Sequence, residues 1–259
     1  MKQKRAFTLL EVLLAVILLG VFGIFGSKLL LGIYQNYNLQ NQNFQKQLEA
    51  QNALLQVKRL LESSYLESLQ ILPNVPISTT STNLIGKSLI FYEKLEQFVL
   101  QEDFAIPCFH GVFDPKSLKI INSTLSLEFL KLSTNPNTTC PFGLPKTALL
   151  ISENFISPQD FYNPNFQGRI LHFNTDSITL EIPNALKQQP LNKISPKLYF
   201  LDSPTRLHFG NSLILEQNKN YITLVENLSH FSLKTHSLGF YVRLCLQNDY
   251  CASSVIVEL

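Results

Sequence analysis

One carboxylate, that of Glu11, lies in a segment whose other members suit a lipid bilayer. An acid at the centre of a membrane helix costs about 2.5–3.5 kcal/mol on insertion scales, so an acid kept in such a segment is a functional candidate by default. Lys2, Lys4 and Arg5 precede it, followed by Ala6-Phe7-Thr8-Leu9-Leu10. The other reactive side chains are thinly spread. Cys108, Cys140, Cys245 and Cys251 form an even set, which in an exported domain suits disulfides. Cys245 and Cys251 flank Gln247-Asn248-Asp249-Tyr250, a run suited to a turn. Pairing across a hairpin is expected there, with Cys108 and Cys140 closing a longer loop; sequence alone leaves the other two connectivities open. There is no C-x-x-C, and the cysteine spacings do not match common zinc patterns, so no metal site is assigned. His110 follows Cys108 at a spacing that shares one strand face, but no third residue to orient such a pair is identifiable. His172, His208, His230 and His236 show no ligand spacing and read as surface or satisfied strand positions. Asp202, Glu216 and Asp249 are too scattered for a calcium site. No phosphate loop, H-E-x-x-H or G-x-S-x-G occurs. No catalytic residue and no cofactor is assigned, and the chain is not expected to be an enzyme.

The elements that must carry these residues change character along the chain. From Val12 to Gly26 every residue is apolar or Gly, and after Ser27 and Lys28 the run resumes from Leu29 to Ile33. As one helix, Phe7 to Tyr34 exceeds the roughly 20 residues that span a bilayer. Gly20, Gly23, Gly26 and Gly32 would permit close helix–helix approach there. Phe44, Leu48, Leu55, Leu61, Tyr65, Leu69 and Leu72 then recur at helical spacings among Gln, Asn, Lys and Glu, the pattern of an amphipathic helix. Pro73 and Pro76 are expected to end it. Ser78 to Asn83 reads as a loop.

Short strands follow: Leu89–Tyr92, Leu125–Leu132, Ala148–Ile151, Ile170–Phe173, Ile178–Ile182, Leu198–Leu201, Leu213–Glu216, Tyr221–Val225, Phe231–Lys234, Phe240–Leu246 and Ser254–Glu258. Several alternate apolar and polar residues, as half-buried strands do. The stretches Pro136–Pro145 and Ser157–Phe166 are rich in Pro and Asn and read as loops. The chain is therefore expected to be α+β, a long N-terminal helix laid on antiparallel sheet. It has 259 residues and a net charge of +2. No basic stripe is present, so direct nucleic-acid binding is not expected.

The order of basic residues, Ala6-Phe7-Thr8-Leu9-Leu10-Glu11 and a long apolar run resembles the start of type IV prepilins and of type II secretion pseudopilins. The order Leu198-Tyr199-Phe200-Leu201, Thr205-Arg206-Leu207, Tyr221 to Leu233 and Phe240 to Leu246 is similar to the minor pseudopilin J and PilW class. These resemblances imply a type IV pilin-like fold. They imply cleavage between Ala6 and Phe7 by a prepilin peptidase and N-methylation of Phe7. This chain has Ala6 where the family usually has Gly. The implied parts are a leader at 1–6, a transmembrane part of the helix at 7–34, an exported amphipathic part at 35–72, a linker at 73–86 and a β-rich domain at 87–259.

In such a filament Glu11 would pair with the N-terminal amine of a neighbouring subunit and set assembly register. The implied partners are the peptidase, other minor and major pilins or pseudopilins, and lipid of the bacterial inner membrane. The anchor would be single-pass, with the C-terminal domain in the periplasm or exterior and the subunit at the filament tip. The filament would serve secretion, pilus biogenesis or DNA uptake. The alternative from the same residues is a membrane-anchored receptor or adhesin that never polymerises, its basic start kept inside by charge.

Overall fold

The computed structural model describes residues 9–73, 77, 80–94, 98–101, 104–107, 113–121, 123–128, 147–152, 157–173, 177–187, 194–237 and 239–257. One long helix and an extensive antiparallel β region make it α+β. The chain divides into two compact units, Met1–Glu49 and Ala50–Leu259. A single helix, α1 (Leu9–Glu62), runs through both.

From Leu9 to Ile33 the helix has exposed large apolar residues on every side. Leu9, Phe22, Phe25 and Leu30 are 66–88 % exposed, and their large apolar neighbours are exposed as well. A window of this helix has a mean hydropathy of 2.6 and none of it is buried. By length and composition the helix can cross a membrane.

The second unit begins inside the helix, at Ala50. Ala50, Ala53, Leu54, Val57 and Leu61 are buried. They recur at three- and four-residue steps and so form one stripe. Of the larger residues expected on this face, Leu61 is buried, but Phe44 and Leu55 are 63 % and 51 % exposed. Two alanines let the helix backbone lie close to its neighbours, and large side chains at those positions would hold it off.

The helix also ends ten residues before Leu72. Ser63 and Ser64 turn their hydroxyls back onto the carbonyls of Leu60 and Leu61, at 3.0 and 2.7 Å. Tyr65 then turns extended and gives its backbone N–H to the Tyr92 carbonyl at 2.9 Å. Side-chain competition for helical carbonyls favours such an exit. Leu66–Ser68 forms a 3-10 turn, and Gln70–Leu72 is already a strand. Pro73 therefore follows a strand rather than stopping a helix.

The strands, numbered in chain order, form four sheets among the described residues. A five-stranded sheet has the order β1 (Gln70–Leu72), β3 (Ser88–Phe91), β12 (Thr205–Phe209), β13 (Leu213–Gln217) and β14 (Asn220–Val225). A four-stranded sheet has β17 (Tyr250–Val257), β16 (Gly239–Leu246), β15 (Leu228–His236) and β2 (Thr82–Asn83). A six-stranded sheet has β11 (Ile194–Leu201), β8 (Thr147–Ser152), β9 (Gln167–Phe173), β10 (Ser177–Glu181), β7 (Thr124–Glu128) and β6 (Lys119–Ile121). A separate hairpin pairs β4 (Phe98–Gln101) with β5 (Phe104–Pro107).

Two regions read as loops carry structure. Thr82–Asn83 pairs with β15 and Leu84 is fully buried, so the segment 73–86 is not simply a linker. Within Ser157–Phe166, Pro158–Tyr162 forms a 3-10 turn closed by a capping box between Ser157 and Asp160, and it buries Phe161. The stretch Pro136–Pro145 lies outside the described residues.

Three apolar clusters hold the unit together. The largest joins the helix stripe to the five- and four-stranded sheets through Leu89, Phe91, Phe209, Phe231 and Val242. Phe209 and Phe231 stack there with ring centroids 4.3 Å apart. A second lies against the six-stranded sheet around Phe113, Leu127, Leu180 and Phe200. A third, of Tyr65, Tyr92, Leu149, Phe161, Tyr199 and Leu201, fills the space between them. Tyr65 belongs to the third cluster and touches both sheets. Its hydroxyl accepts the backbone N–H of Phe200 at 3.3 Å, and its ring meets Tyr199 edge-on at 5.1 Å.

Candidate functional site

Two places bring chemically capable side chains into a defined setting. The first is the start of α1. Glu11 lies there, exposed, among Leu9, Leu10, Val12, Leu13 and Leu14, all exposed as well. The run has no apolar stripe and no polar face, which removes the usual reason for a soluble helix to be apolar. Ala6 and Phe7, the predicted cleavage and methylation positions, lie outside the described residues.

The second place is the outer face of the five-stranded sheet, opposite the helix. Strand register sets it. Ser88 on β3 lies across from His208 on β12, and Arg206 lies across from Glu216 on β13. Residues two apart on a strand share a face, so all four point the same way. Ser88 Oγ is 2.9 Å from His208 Nδ1, and His208 Nε2 is 2.7 Å from Glu216 Oε2. An ionised carboxylate only accepts. Nε2 therefore carries the proton toward Glu216, and in the neutral ring Nδ1 accepts from the Ser88 hydroxyl. Arg206 stands 3.7 Å from the same carboxylate.

The hydrogen bond from His208 holds the Glu216 carboxyl below its ordinary 4.5; burial opposes it, and Arg206 and Tyr221 add smaller effects in the lowering direction. The connectivity is that of a hydroxyl, a base and an orienting acid. Its setting is an open sheet face, and what it does physically is tie β3, β12 and β13 together by side chains as well as by backbone. Beside it, Tyr162 stacks on Tyr92 at 5.2 Å and donates its hydroxyl to the Ser68 carbonyl at 2.9 Å. Burial pushes both phenols above their ordinary range.

Cys245 and Cys251 are direct cross-strand partners on β16 and β17 and form a disulfide, as the turn between them suggested. Asn248 and Asp249 in that turn are left-handed, with φ of 66° and 64°. Gly239, at the other end of the pair, has a φ of +144° and lies so close to β17 that a side chain would collide with the Ile256 carbonyl. Cys108, Cys140 and His110 lie outside the described residues.

His172 and His236 are exposed strand positions, and His230 is half-buried on β15. No group of three or more His, Cys, Asp or Glu residues suited to a metal ion occurs among the described residues. A polar cleft of about 320 Å³ lies elsewhere, lined by Ser123, Gln167, Glu181, Ile182, Pro183, Asn184 and Lys187. The Arg169–Glu181 ion pair, 2.8 Å long, joins its rim. Sequence reasoning named His208 and Glu216 but separately; only strand register brings them together. No family model matches this chain, and no curated protein and no solved structure matches it either.

Proposed function

We propose that this chain is a membrane-anchored, assembling subunit of the type IV pilin-like kind, a minor pilin or pseudopilin. The observation that carries the reading is the start of α1: basic residues, Phe-Thr-x-x-Glu, and then an apolar helix exposed on all sides. A helix of this kind needs an apolar surrounding, first lipid and then the helices of neighbouring subunits. Glu11 is the element that a plain anchor does not need. Cleavage before Phe7 would create a positive amine near it in sequence. A buried acid is tolerated when a cation meets it, so a subunit can join only where its acid finds an amine. The C-terminal strands add support, because the order that resembles the minor pseudopilin J and PilW class falls on β11, β12, β14, β15 and β16.

Mass spectrometry of the mature N-terminus tests the reading. N-methyl-Phe7 is the expected result, and an intact Met1 or a cut near Ser27 overturns it in favour of a non-polymerising receptor or adhesin. Glu11→Leu is expected to leave membrane insertion intact while incorporation into filaments falls at least tenfold. Undiminished incorporation removes the role given to Glu11.

A further inference from the structure

A strand at the edge of a sheet has an outward row of N–H and C=O groups with no ladder partner, and an apolar, uncharged edge invites a second strand. Outside α1, the exposed large apolar residues among those described are Ile120, Ile121, Tyr221, Ile222 and Val257. All five are on edge strands: β6, β14 and β17. Four of them form two adjacent pairs. Successive strand residues point to opposite faces, and Lys119–Ile121 and Asn220–Thr223 are exposed at every position. Neither face of β6, nor of the first four residues of β14, is covered. The exposed run of β14 has no charge and no proline to discourage pairing. It is joined to β13 by a two-residue turn at Asn218 and Lys219, both at positive φ, of 51° and 66°, as the hairpin turn that suits strand twist requires.

We propose that β6 of one copy of this chain pairs antiparallel with β14 of the next. Charge selects both the occupant and the direction. β6 is basic at its start, with exposed Lys116 before it and exposed Lys119 in it. β14 is preceded by exposed Lys219 and followed by exposed Glu226. Antiparallel pairing brings the start of β6 to Glu226 and away from Lys219; parallel pairing would set lysine beside lysine. The same alignment puts Ile120 across from Ile222 and Ile121 across from Tyr221, and aromatic and β-branched cross-strand pairs are favourable. Each copy has one edge of each kind on different sheets, so the contact is head-to-tail and extends rather than closing on itself. Its service in a filament rests on the assembling-subunit reading; the strand pairing itself does not.

The test places a photoreactive benzoylphenylalanine at Ile222 of the full chain. This is mixed in mild detergent micelles with a heavy-isotope copy, illuminated, and digested. The expected product joins residue 222 of one copy to the segment 113–128 of the other. Attachment to the other copy's β14, attachment only within one copy, or no joined product overturns the proposal. Lys116→Glu is expected to lower the yield at least threefold, and Lys116→Glu with Glu226→Lys to restore it; a yield indifferent to both overturns the assigned direction. The N-terminal mass, read on the same sample, keeps the two proposals apart. Joined product with an uncut Met1 leaves the strand pairing standing and removes the filament, and N-methyl-Phe7 without joined product does the reverse.

Discussion

The two ends of α1 both carry many apolar residues and behave in opposite ways. From Leu9 to Ile33 every described large apolar residue is exposed, whereas Ala50, Ala53, Leu54, Val57 and Leu61 are buried to within 5 %. The difference is direction. In the first region apolar side chains point everywhere, and in the second they point one way, toward the cores of the five- and four-stranded sheets. An apolar residue is a demand for a neighbour. A stripe can be answered by the same chain, and a full circle can be answered only from outside.

That contrast is open to direct attack. Val57→Asp should do the most damage, since Val57 is fully buried and a charge there has no partner. A loss of about 3–5 kcal/mol is expected in denaturant unfolding of the full chain in micelles, with membrane retention unchanged. The complementary change, Phe22→Asp, falls where the side chain is 72 % exposed. It should leave unfolding of the β region within about 0.5 kcal/mol of the parent. It should weaken membrane partition by about 2.5–3.5 kcal/mol, read by flotation with lipid. If either substitution gives the other's phenotype, the two regions do not have separate roles.

Cys251→Ser sharpens the picture within the second region. The disulfide closes a loop with a sequence separation of 6, and a loop that short contributes at most about 2 kcal/mol. The loss should appear in unfolding and not in flotation. Glu216→Gln is the smallest effect. The carboxyl is held below 4.5 in the folded chain. Its contribution is therefore present above that value and lost as pH falls through the lowered folded value. The variant should unfold more easily than the parent at neutral pH, and the two should converge in acid. A gap that persists in strong acid would count against the His208–Glu216 pair.

The sequence showed most of the strands and little of their arrangement. Leu213–Glu216 and Phe240–Leu246 are visible because apolar and polar residues alternate, and they lie within β13 and β16. Val242, Leu244 and Leu246 are buried on one side while Arg243 is exposed, as alternation requires. Cys245 departs from it, buried by its bond to Cys251. Lys119–Ile121 and Gln70–Leu72 went unseen because three residues are too few to show a period. The helix stripe was assigned to the largest side chains, and close approach was achieved with Ala50 and Ala53. Leu69 and Leu72 fitted the helical count, yet Ser63 and Ser64 had already ended the helix. Among side chains, Glu11 announces itself through local contrast with its neighbours. Ser88 and His208 cannot, since 120 positions separate them and nothing local records a register.

Tyr65 gives the second unit a mechanical property. Its backbone N–H is fastened to the Tyr92 carbonyl, just past β3, and its hydroxyl to the strand carrying Phe200. A pull on the helix, already shared with the five- and four-stranded sheets by the buried stripe, therefore also reaches the six-stranded sheet through this one residue.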